Sequence, residues 1–521
     1  MASARADSVP TAWAKDNSSL LERGTVRGGG RRASELQLAE DVIRKIDRRI
    51  LPLLFVTYNF NFMDKVILSS ASVFGLREDT HLVGSQYSWI SSVFYFGYLF
   101  WTFPTSILIQ QLPVGKYVSA NTFFWGAVVA LTAACSNFGG LMGVRFLLGV
   151  AEATISPAFV FVTSMWWTRE EIPARCGVWF AGNSLGGLLS NFLAFAIGHI
   201  KRPLAAWQWL FIQVAGFNSL PVFDCVPFQV LGVATFLWGV FLLFLLPDTI
   251  ASCDFLNERE KIYAEHRVEF AGTGKIRHEW KRDQVIECLM DPKTFLFLSV
   301  SVLTQIPNGG TQNFGNLVLK GFGFSPLETT LIITPASVLC ISTVLITGWF
   351  CSKYHNVATY LICGIVAFPV AGSAIIYSNV SKGVKLFGYY LMSPGPAALP
   401  LTMSLVAVNY KGSTKKMTMT AILFVAYCAG NIAGPQFFIS AEAPHYPTAF
   451  RAILVCYSLV VVSALALRFY LNCLNRKRDE KERVPAVGNE SGMANKINPT
   501  SGEEEEEELT DFHARGFRYR T

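Results

Sequence analysis

Apolar runs long enough to cross a lipid bilayer recur along this 521-residue chain. A membrane-spanning helix needs about 20 predominantly apolar residues. The chain is 51% hydrophobic and only 16% charged, which is too apolar for a soluble protein of this size. We therefore predict an all-α integral membrane protein with twelve transmembrane helices, at residues 50–75, 83–110, 118–136, 138–166, 175–199, 209–246, 293–319, 327–350, 357–378, 384–407, 417–440 and 448–474.

A polar stretch between the sixth and seventh runs divides them into two groups of six. The motif GNSLG (182–186) in the fifth run resembles GNIAG (430–434) in the eleventh, as expected for a duplicated six-helix unit. The six glutamates at 503–508 are typical of a solvated, disordered segment. We predict the following organisation: a disordered cytosolic tail at 1–48, bundles at 49–247 and 293–475, a cytosolic central loop at 248–292, and a disordered acidic tail at 476–521.

The sixth run is too long for one membrane crossing. As a single helix, residues 209–246 would extend roughly 57 Å at 1.5 Å per residue, and they include Pro221, Asp224 and Pro227. Residues 228–246 are sufficient to span the bilayer. The surplus at about 213–230 is either an unusual insertion or a gene-model artefact.

Basic residues beside the first and last runs predict the orientation. Charges in the short loops barely discriminate between the two sides, whereas the flanks are strongly basic, with Arg44, Lys45, Arg48 and Arg49 before the first run and Arg476, Lys477 and Arg478 after the last. The positive-inside rule then places both termini in the cytosol. Asn379 begins an Asn-Val-Ser sequon in a predicted outer loop, which predicts glycosylation there. We expect a multi-pass protein of the plasma membrane.

Motif searches argue against an enzyme and against a resident cofactor or metal. The chain has no phosphate-binding loop and no H-E-x-x-H motif, and its 11 cysteines are scattered singly. GNSLG (182–186) satisfies the G-x-S-x-G hydrolase pattern, but it lies in a predicted membrane helix rather than at a strand-to-helix turn. Its small residues instead predict a close helix crossing. The basic residues cluster beside apolar runs, which argues against nucleic-acid binding.

Four charged residues lie inside predicted spans and are the strongest functional signal. They are Asp64 and Lys65 in the first run and Arg145 and Glu152 in the fourth. Each costs about 2.5–3.5 kcal/mol at mid-membrane if it is left exposed to lipid.

Pairing of these charges within one helix is excluded by geometry. Adjacent residues do not face each other, and seven residues separate the second pair by about 10.5 Å. We expect pairing between helices, Asp64 with Arg145 and Lys65 with Glu152, or through a bound ion. A permanent salt bridge is the structural alternative, but buried ion pairs are weak evidence of stability.

Uncharged polar residues in the second half are candidates for orienting a ligand by hydrogen bonds. Capping and hydrogen bonding between helices would explain them equally well. They are Gln305, Asn308, Asn313, Asn431 and Gln436.

Residues 40–475 resemble the major facilitator superfamily, and within it the anion:cation symporter branch and the fungal allantoate permease family. The segments that carry this resemblance are DKVILSSASVFGLREDTHLVGSQYSW (64–89), QLPVGKY (111–117), VRFLLGVAEA (144–153), SMWWTREE (164–171), IPNGGTQNFG (306–315), KGFGFSPLE (320–328) and YCAGNIAGPQFF (427–438).

The resemblance implies proton-coupled uptake of a small organic anion, such as a carboxylate or a ureide, by alternating access between two six-helix bundles. It assigns proton coupling to Asp64 and Glu152 and anion binding to Lys65 and Arg145. Lys65 departs from the arginine that is widespread in the wider branch, and a lysine presents a point charge rather than a bidentate fork. We expect a monomer whose partners are the anion, protons and the bilayer. Export of a metabolite and a non-transporting nutrient sensor are the alternatives.

Overall fold

The computed structural model describes residues 28–168, 171–199, 207–208, 231–270, 281–354, 356–378, 380–483, 510–514 and 517–521. Within these ranges the regular structure is helical, and no strand occurs. The predicted all-α class is confirmed. The possible insertion at 213–230 and the sequon residue Asn379 lie outside the described residues.

Nine helices lie in the described part of the N-terminal half. They are α1 (Gly28–Val73), α2 (Leu76–Asp79), α3 (Gln86–Gln111), α4 (Val114–Thr132), α5 (Phe138–Glu152), α6 (Ile155–Trp166), α7 (Ile172–Phe180), α8 (Gly182–Ile197) and α9 (Leu231–Leu245). Helices α5 and α6 together form the fourth span, and they are separated by a break immediately after Glu152.

Two further helices, α10 (Glu258–Phe270) and α11 (Arg282–Met290), lie in the central stretch between the halves. The C-terminal half then consists of α12 (Pro292–Gly321), α13 (Pro326–Ile332), α14 (Thr334–Lys353), α15 (Ala358–Tyr377), α16 (Lys382–Leu391), α17 (Ala398–Asn409), α18 (Ser413–Ala433) and α19 (Pro447–Arg483), with short 3-10 turns at Gly395–Ala397, Gly434–Phe437 and Ser440–Glu442.

Eight helical segments of the described chain are long and apolar enough to cross a membrane. Helix α9 is apolar but shorter, while α1, α4 and α12 have the length but more polar side chains. Together these make up the twelve predicted spans. Helices α1 and α12 carry most of the candidate site residues. Their mean hydropathy is lower because polar groups that line an interior cavity replace apolar ones.

The GNSLG and GNIAG motifs make equivalent helix crossings in the two halves. Gly186 of α8 lies so close to α1 that a Cβ there would be 2.4 Å from the carbonyl oxygen of Asn59. Gly434, at the end of α18, packs against α12, where a Cβ would be 2.3 Å from the carbonyl oxygen of Ile306. The small residues therefore allow close backbone approach, and GNSLG starts a helix rather than a hydrolase turn.

Two expectations about the polar segments need correction. Residues 28–48 are helical, as the start of α1, rather than a disordered tail. Helix α19 continues to Arg483, and residues 510–514 and 517–521 pack against the C-terminal half, so the disorder predicted from residue 476 onward is wrong for these parts. The acidic residue Asp511 meets buried lysines there, which the charge count alone did not reveal.

Candidate functional site

An ion pair between α1 and the end of α5 forms the centre of the candidate site. Lys65 Nζ lies 3.3 Å from Glu152 Oε2, with the glutamate side chain fully buried and the lysine side chain 16% exposed. This is one of the two pairings predicted from the sequence. The break between α5 and α6 follows Glu152 directly, so the carboxylate lies beside the interruption in the fourth span.

Asn61 links the two charges of this pair. It lies one turn before Lys65 on α1, accepts a hydrogen bond from the lysine (3.0 Å), and donates one to Glu152 Oε2 (2.9 Å). The sequence interpretation did not select Asn61. Its spacing of four residues from Lys65 is the signal that would have identified it, because residues at i and i+4 share a helix face.

Asp64 and Arg145 lie in the same interior region and are 1% and 3% exposed. Asp64 and Arg145 do not form the hydrogen-bonded pair that we predicted, because neither carboxylate oxygen of Asp64 has a hydrogen-bond partner. Asp64 is nevertheless within electrostatic range of Glu152, Arg145 and Lys65. The four charges sum to zero if all are ionised, so burial leaves no net charge in the membrane interior.

A narrow cavity connects all four charged residues. The space open to the centre of a water molecule measures about 20 Å³, which is room for about one water. Its polar lining includes two residues that the sequence interpretation missed, Ser91 on α3 and Gln312 on α12. The side-chain nitrogen of Gln312 is buried without a hydrogen-bond partner. Lys65 Nζ also lies 5.9 Å from the ring centroids of both Phe94 and Tyr98.

Three of the predicted polar residues of the second half form an amide cluster between α12 and α18. Asn308 donates to Gln305 (3.2 Å) and to Asn431 (3.1 Å), and Asn431 donates to Gln305 (3.1 Å). Gln305 and Asn431 are 1% and 0% exposed. In this conformation the cluster joins two helices, and none of its members lines the cavity around the four charges.

The remaining two predicted residues lie where the halves meet. Asn313 lines the cavity and donates its side-chain hydrogen bond to the carbonyl of Gly309 (2.8 Å). Gln436 donates to Ser92 of α3 (3.0 Å), so it connects the C-terminal half to the N-terminal half.

Further contacts between the halves lie at the end of the bundle away from the chain termini. Tyr87 donates to the carbonyl of Asn313 (2.9 Å), and Ser92 donates to the carbonyl of Ile432 (2.8 Å). The Asn316 side chain donates to Ser70 (3.1 Å) near the end of α1. These hydrogen bonds hold the two halves together on the side of the site that faces away from the chain termini.

Neither a disulfide nor a metal-binding group of side chains occurs in the described residues. The ten cysteines in the described part of the chain are free. No group of three or more His, Cys, Asp or Glu side chains there is placed to hold a metal ion.

Comparison with curated proteins identifies fungal membrane transporters as relatives. The chain is 32% identical to the allantoate permease of Saccharomyces cerevisiae, over 94% of this chain and 88% of that protein. It is also 32% identical to an uncharacterized transporter of Schizosaccharomyces pombe, over 92% of this chain and 87% of the relative. A thiamine pathway transporter of Saccharomyces cerevisiae is 28% identical over 93% of this chain and 87% of its own length.

Solved structures share the fold at low sequence identity. A bacterial homolog of the human lysosomal transporter Spinster, inward-facing and unoccupied, is 12% identical with a TM-score of 0.61, covering 81% of this chain and 95% of the homolog. A D-xylose–proton symporter is 12% identical with a TM-score of 0.59, covering 80% and 96%.

The family model for the Major Facilitator Superfamily matches residues 54–220 and 225–435, which together cover most of both helical halves. Its four-residue gap falls within the segment that the sequence marked as surplus. With this match and the relatives above, the chain belongs to the Major Facilitator Superfamily and is a transporter rather than an enzyme.

Proposed function

We propose that the protein is a proton-coupled symporter that imports a small organic anion such as a carboxylate or a ureide. The observation that supports this best is the buried cavity where two acids and two bases from α1 and α5 meet. Such groups are costly in a membrane interior, and where they occur they commonly mark the pathway of a substrate or of protons. The relative named as an allantoate permease agrees with an anionic cargo.

Coupling follows from the electrostatics of this cluster. A carboxylate in a low-dielectric cavity is stabilised by neighbouring cations and destabilised by loss of hydration. When a substrate anion binds Lys65 or Arg145, the stabilisation available to Asp64 and Glu152 falls. One of these acids then takes up a proton together with the anion. The loaded cavity remains close to neutral, which lowers the barrier to changing the side to which it opens.

The size of the cavity makes a conformational change part of this proposal. Space for about one water cannot hold a carboxylate with its carbon skeleton. Binding therefore requires the halves to separate. Because hydrogen bonds join them at the distal end, we propose opening toward the end that carries the chain termini, which we assign to the cytosol from the basic flanks. The protein then acts as a monomer in the plasma membrane, with Asn379 on the outer side.

The second half supplies polarity without charge. Asn313 and Gln312 line the cavity opposite the charged residues and can contact the polar part of a bound anion. Gln305, Asn308 and Asn431 hold α12 against α18 in this conformation. We propose that they bind substrate when the halves separate, and Gln436 with them once its bond to Ser92 opens.

Asp64→Asn tests the coupling role directly. In proteoliposomes, this variant should lose uptake driven by a pH gradient while it retains exchange of labelled for unlabelled substrate, because exchange needs no net proton movement. Glu258→Gln removes an acid that is 83% exposed on α10 and should leave both activities intact. Accumulation by Asp64→Asn that follows the pH gradient normally would rule out the assigned role.

Substrate and direction require a separate experiment. Uptake of a panel of organic anions by a strain lacking the gene, with and without re-expression, should identify one or a few carboxylates. Transport into inverted vesicles would instead indicate export. Saturable binding to purified protein without flux would indicate a sensor.

A further inference from the structure

Residues 510–514 and 517–521 lie against the C-terminal half at the end where α19 finishes. We propose that this end carries a specific binding site for an acidic and aromatic peptide, and that residues 510–514 and 517–521 of this chain occupy it. This inference is independent of what the protein transports.

The centre of the binding site is a buried charge cluster. The side chains of Lys293, Lys415, Asp291 and Asp511 are 0% exposed. Asp511 pairs with Lys293 through one oxygen and lies 2.9 Å from Lys415 through the other. Asp291 also contacts both lysines, at 3.1 and 3.3 Å.

Asp511 gives Lys293 a carboxylate contact that the rest of the bundle does not provide. Without it, Asp291 and Glu287 would match the two lysines in formal charge, but Glu287 is partly exposed and lies 2.8 Å from Lys415. Lys293 would then have to share Asp291 with Lys415, and a buried cation that is incompletely paired is costly. The bundle therefore presents a position for one further carboxylate beside Lys293, and residue 511 fills it.

The backbone of the segment is recognised as well as its charge. Asn475 of α19 donates to the carbonyl of Tyr519 (2.8 Å) and accepts from its amide (2.9 Å). Asn409, at the end of α17, makes the same reciprocal pair with Arg520, at 2.8 Å in both directions. Paired bonds of this kind fix the register of an extended peptide, as β-strand addition does.

Aromatic side chains complete the specificity. Tyr519 donates a hydrogen bond to Asp511 (2.8 Å), and its ring lies 4.6 Å from Lys293 Nζ. Phe512 lies 4.1 Å from Lys415 Nζ. Arg478 donates to the carbonyl of Phe517 (2.7 Å). The occupant thus needs an acid, a neighbouring aromatic residue, and a second aromatic residue about eight positions further along.

This binding site connects helices that are distant in sequence. Its residues come from the segment before α12, the ends of α17 and α19, and the starts of α12 and α18. Burial raises the pKa of the Asp511 carboxyl, but the ammonium groups of Lys293 and Lys415 outweigh that effect and hold it below its ordinary value. The segment therefore remains bound at neutral pH, and acidification within the physiological range does not release it.

The test is to cut the chain between the bundle and its occupant. A protease site placed within residues 490–500 allows the purified, folded full-length protein to be cleaved in detergent. The released C-terminal fragment should remain bound during size-exclusion chromatography. A labelled synthetic peptide of residues 505–521, added in excess, should then exchange into the site with saturable binding.

Two variant peptides with the same charge change test whether binding depends on residue 511, while the bundle keeps its wild-type sequence. A peptide with Asp511→Asn should compete about thirtyfold or more weakly, because it leaves buried lysines incompletely paired. A peptide with Glu507→Gln carries the same charge change and should compete normally. Loss of the fragment on cleavage without any peptide rebinding, or equal competition by the two variant peptides, would overturn the proposal.

Discussion

Neutralising the Lys65–Glu152 pair one residue at a time should destabilise the protein much more than neutralising both. The four charges of the cavity sum to zero when ionised, so Lys65→Gln or Glu152→Gln alone leaves one uncompensated charge in a buried region. The double substitution restores neutrality. The prediction concerns the coupling free energy between these two positions.

The distance and burial set the size of this coupling. Unit charges 3.3 Å apart attract by about 5 kcal/mol at an effective dielectric constant of about 20. Removing one partner of a buried pair typically costs about 3–5 kcal/mol. Each single variant should lose that much unfolding free energy, whereas the double variant should lose less than either single variant, so the coupling free energy should exceed about 3 kcal/mol.

Equilibrium unfolding in mixed detergent micelles measures all four states of this cycle. Lys116 and Asp248 provide a matched control, because their atoms lie 3.7 Å apart and the lysine side chain is 70% exposed. An exposed pair should show a coupling of less than about 1 kcal/mol. Additive effects at Lys65 and Glu152 would contradict a buried ion pair.

Transport by the same variants separates folding from coupling. The double variant should be folded but inactive in gradient-driven uptake, since the cavity has lost both an anion-binding cation and a proton-binding acid. Full uptake by the folded double variant would show that this pair serves only to join α1 to α5.

Further substitutions test other contacts. Asn61→Ala should cost about 1.5–3 kcal/mol of unfolding free energy, because a charge-assisted hydrogen bond to Glu152 is lost; a cost near zero would show that the bond is not formed. Gly186→Ala should reduce the yield of folded protein, since its Cβ would meet the Asn59 carbonyl, whereas Gly143→Ala has open space and should be neutral; equal yields would contradict the close crossing. Retention of the cleaved C-terminal segment should be independent of pH above the ordinary Asp511 value of 3.8 and decline as pH falls through its lowered pKa; release between pH 7 and 5 would contradict the assigned charge balance.

The pattern of apolar runs determined the class of fold before any coordinates. Long apolar segments in a bilayer can satisfy their backbone groups only as helices or closed barrels, and the run lengths favour helices. The same physics made Asp64, Lys65, Arg145 and Glu152 conspicuous, because charges inside spans need a compensating environment. Helical geometry further required pairing between helices, and this led to the Lys65–Glu152 contact.

Only the tertiary structure decided which neighbours these groups have. Asn61 and Gln312 look like ordinary polar residues in the sequence, and their roles depend on the rotation of α1 and α12 about their axes. The amides of the second half appeared equivalent as candidates, but three of them bind one another and two lie where the halves meet. The sequence predicted a solvated, disordered C-terminal segment, because its local charge density carries no information about Lys293 and Lys415, which are more than 90 residues away from Asp511. Burial and pairing depend on which surfaces folding brings together. The sequence shows that a charge inside a span is costly to bury, but not which side chains offset that cost.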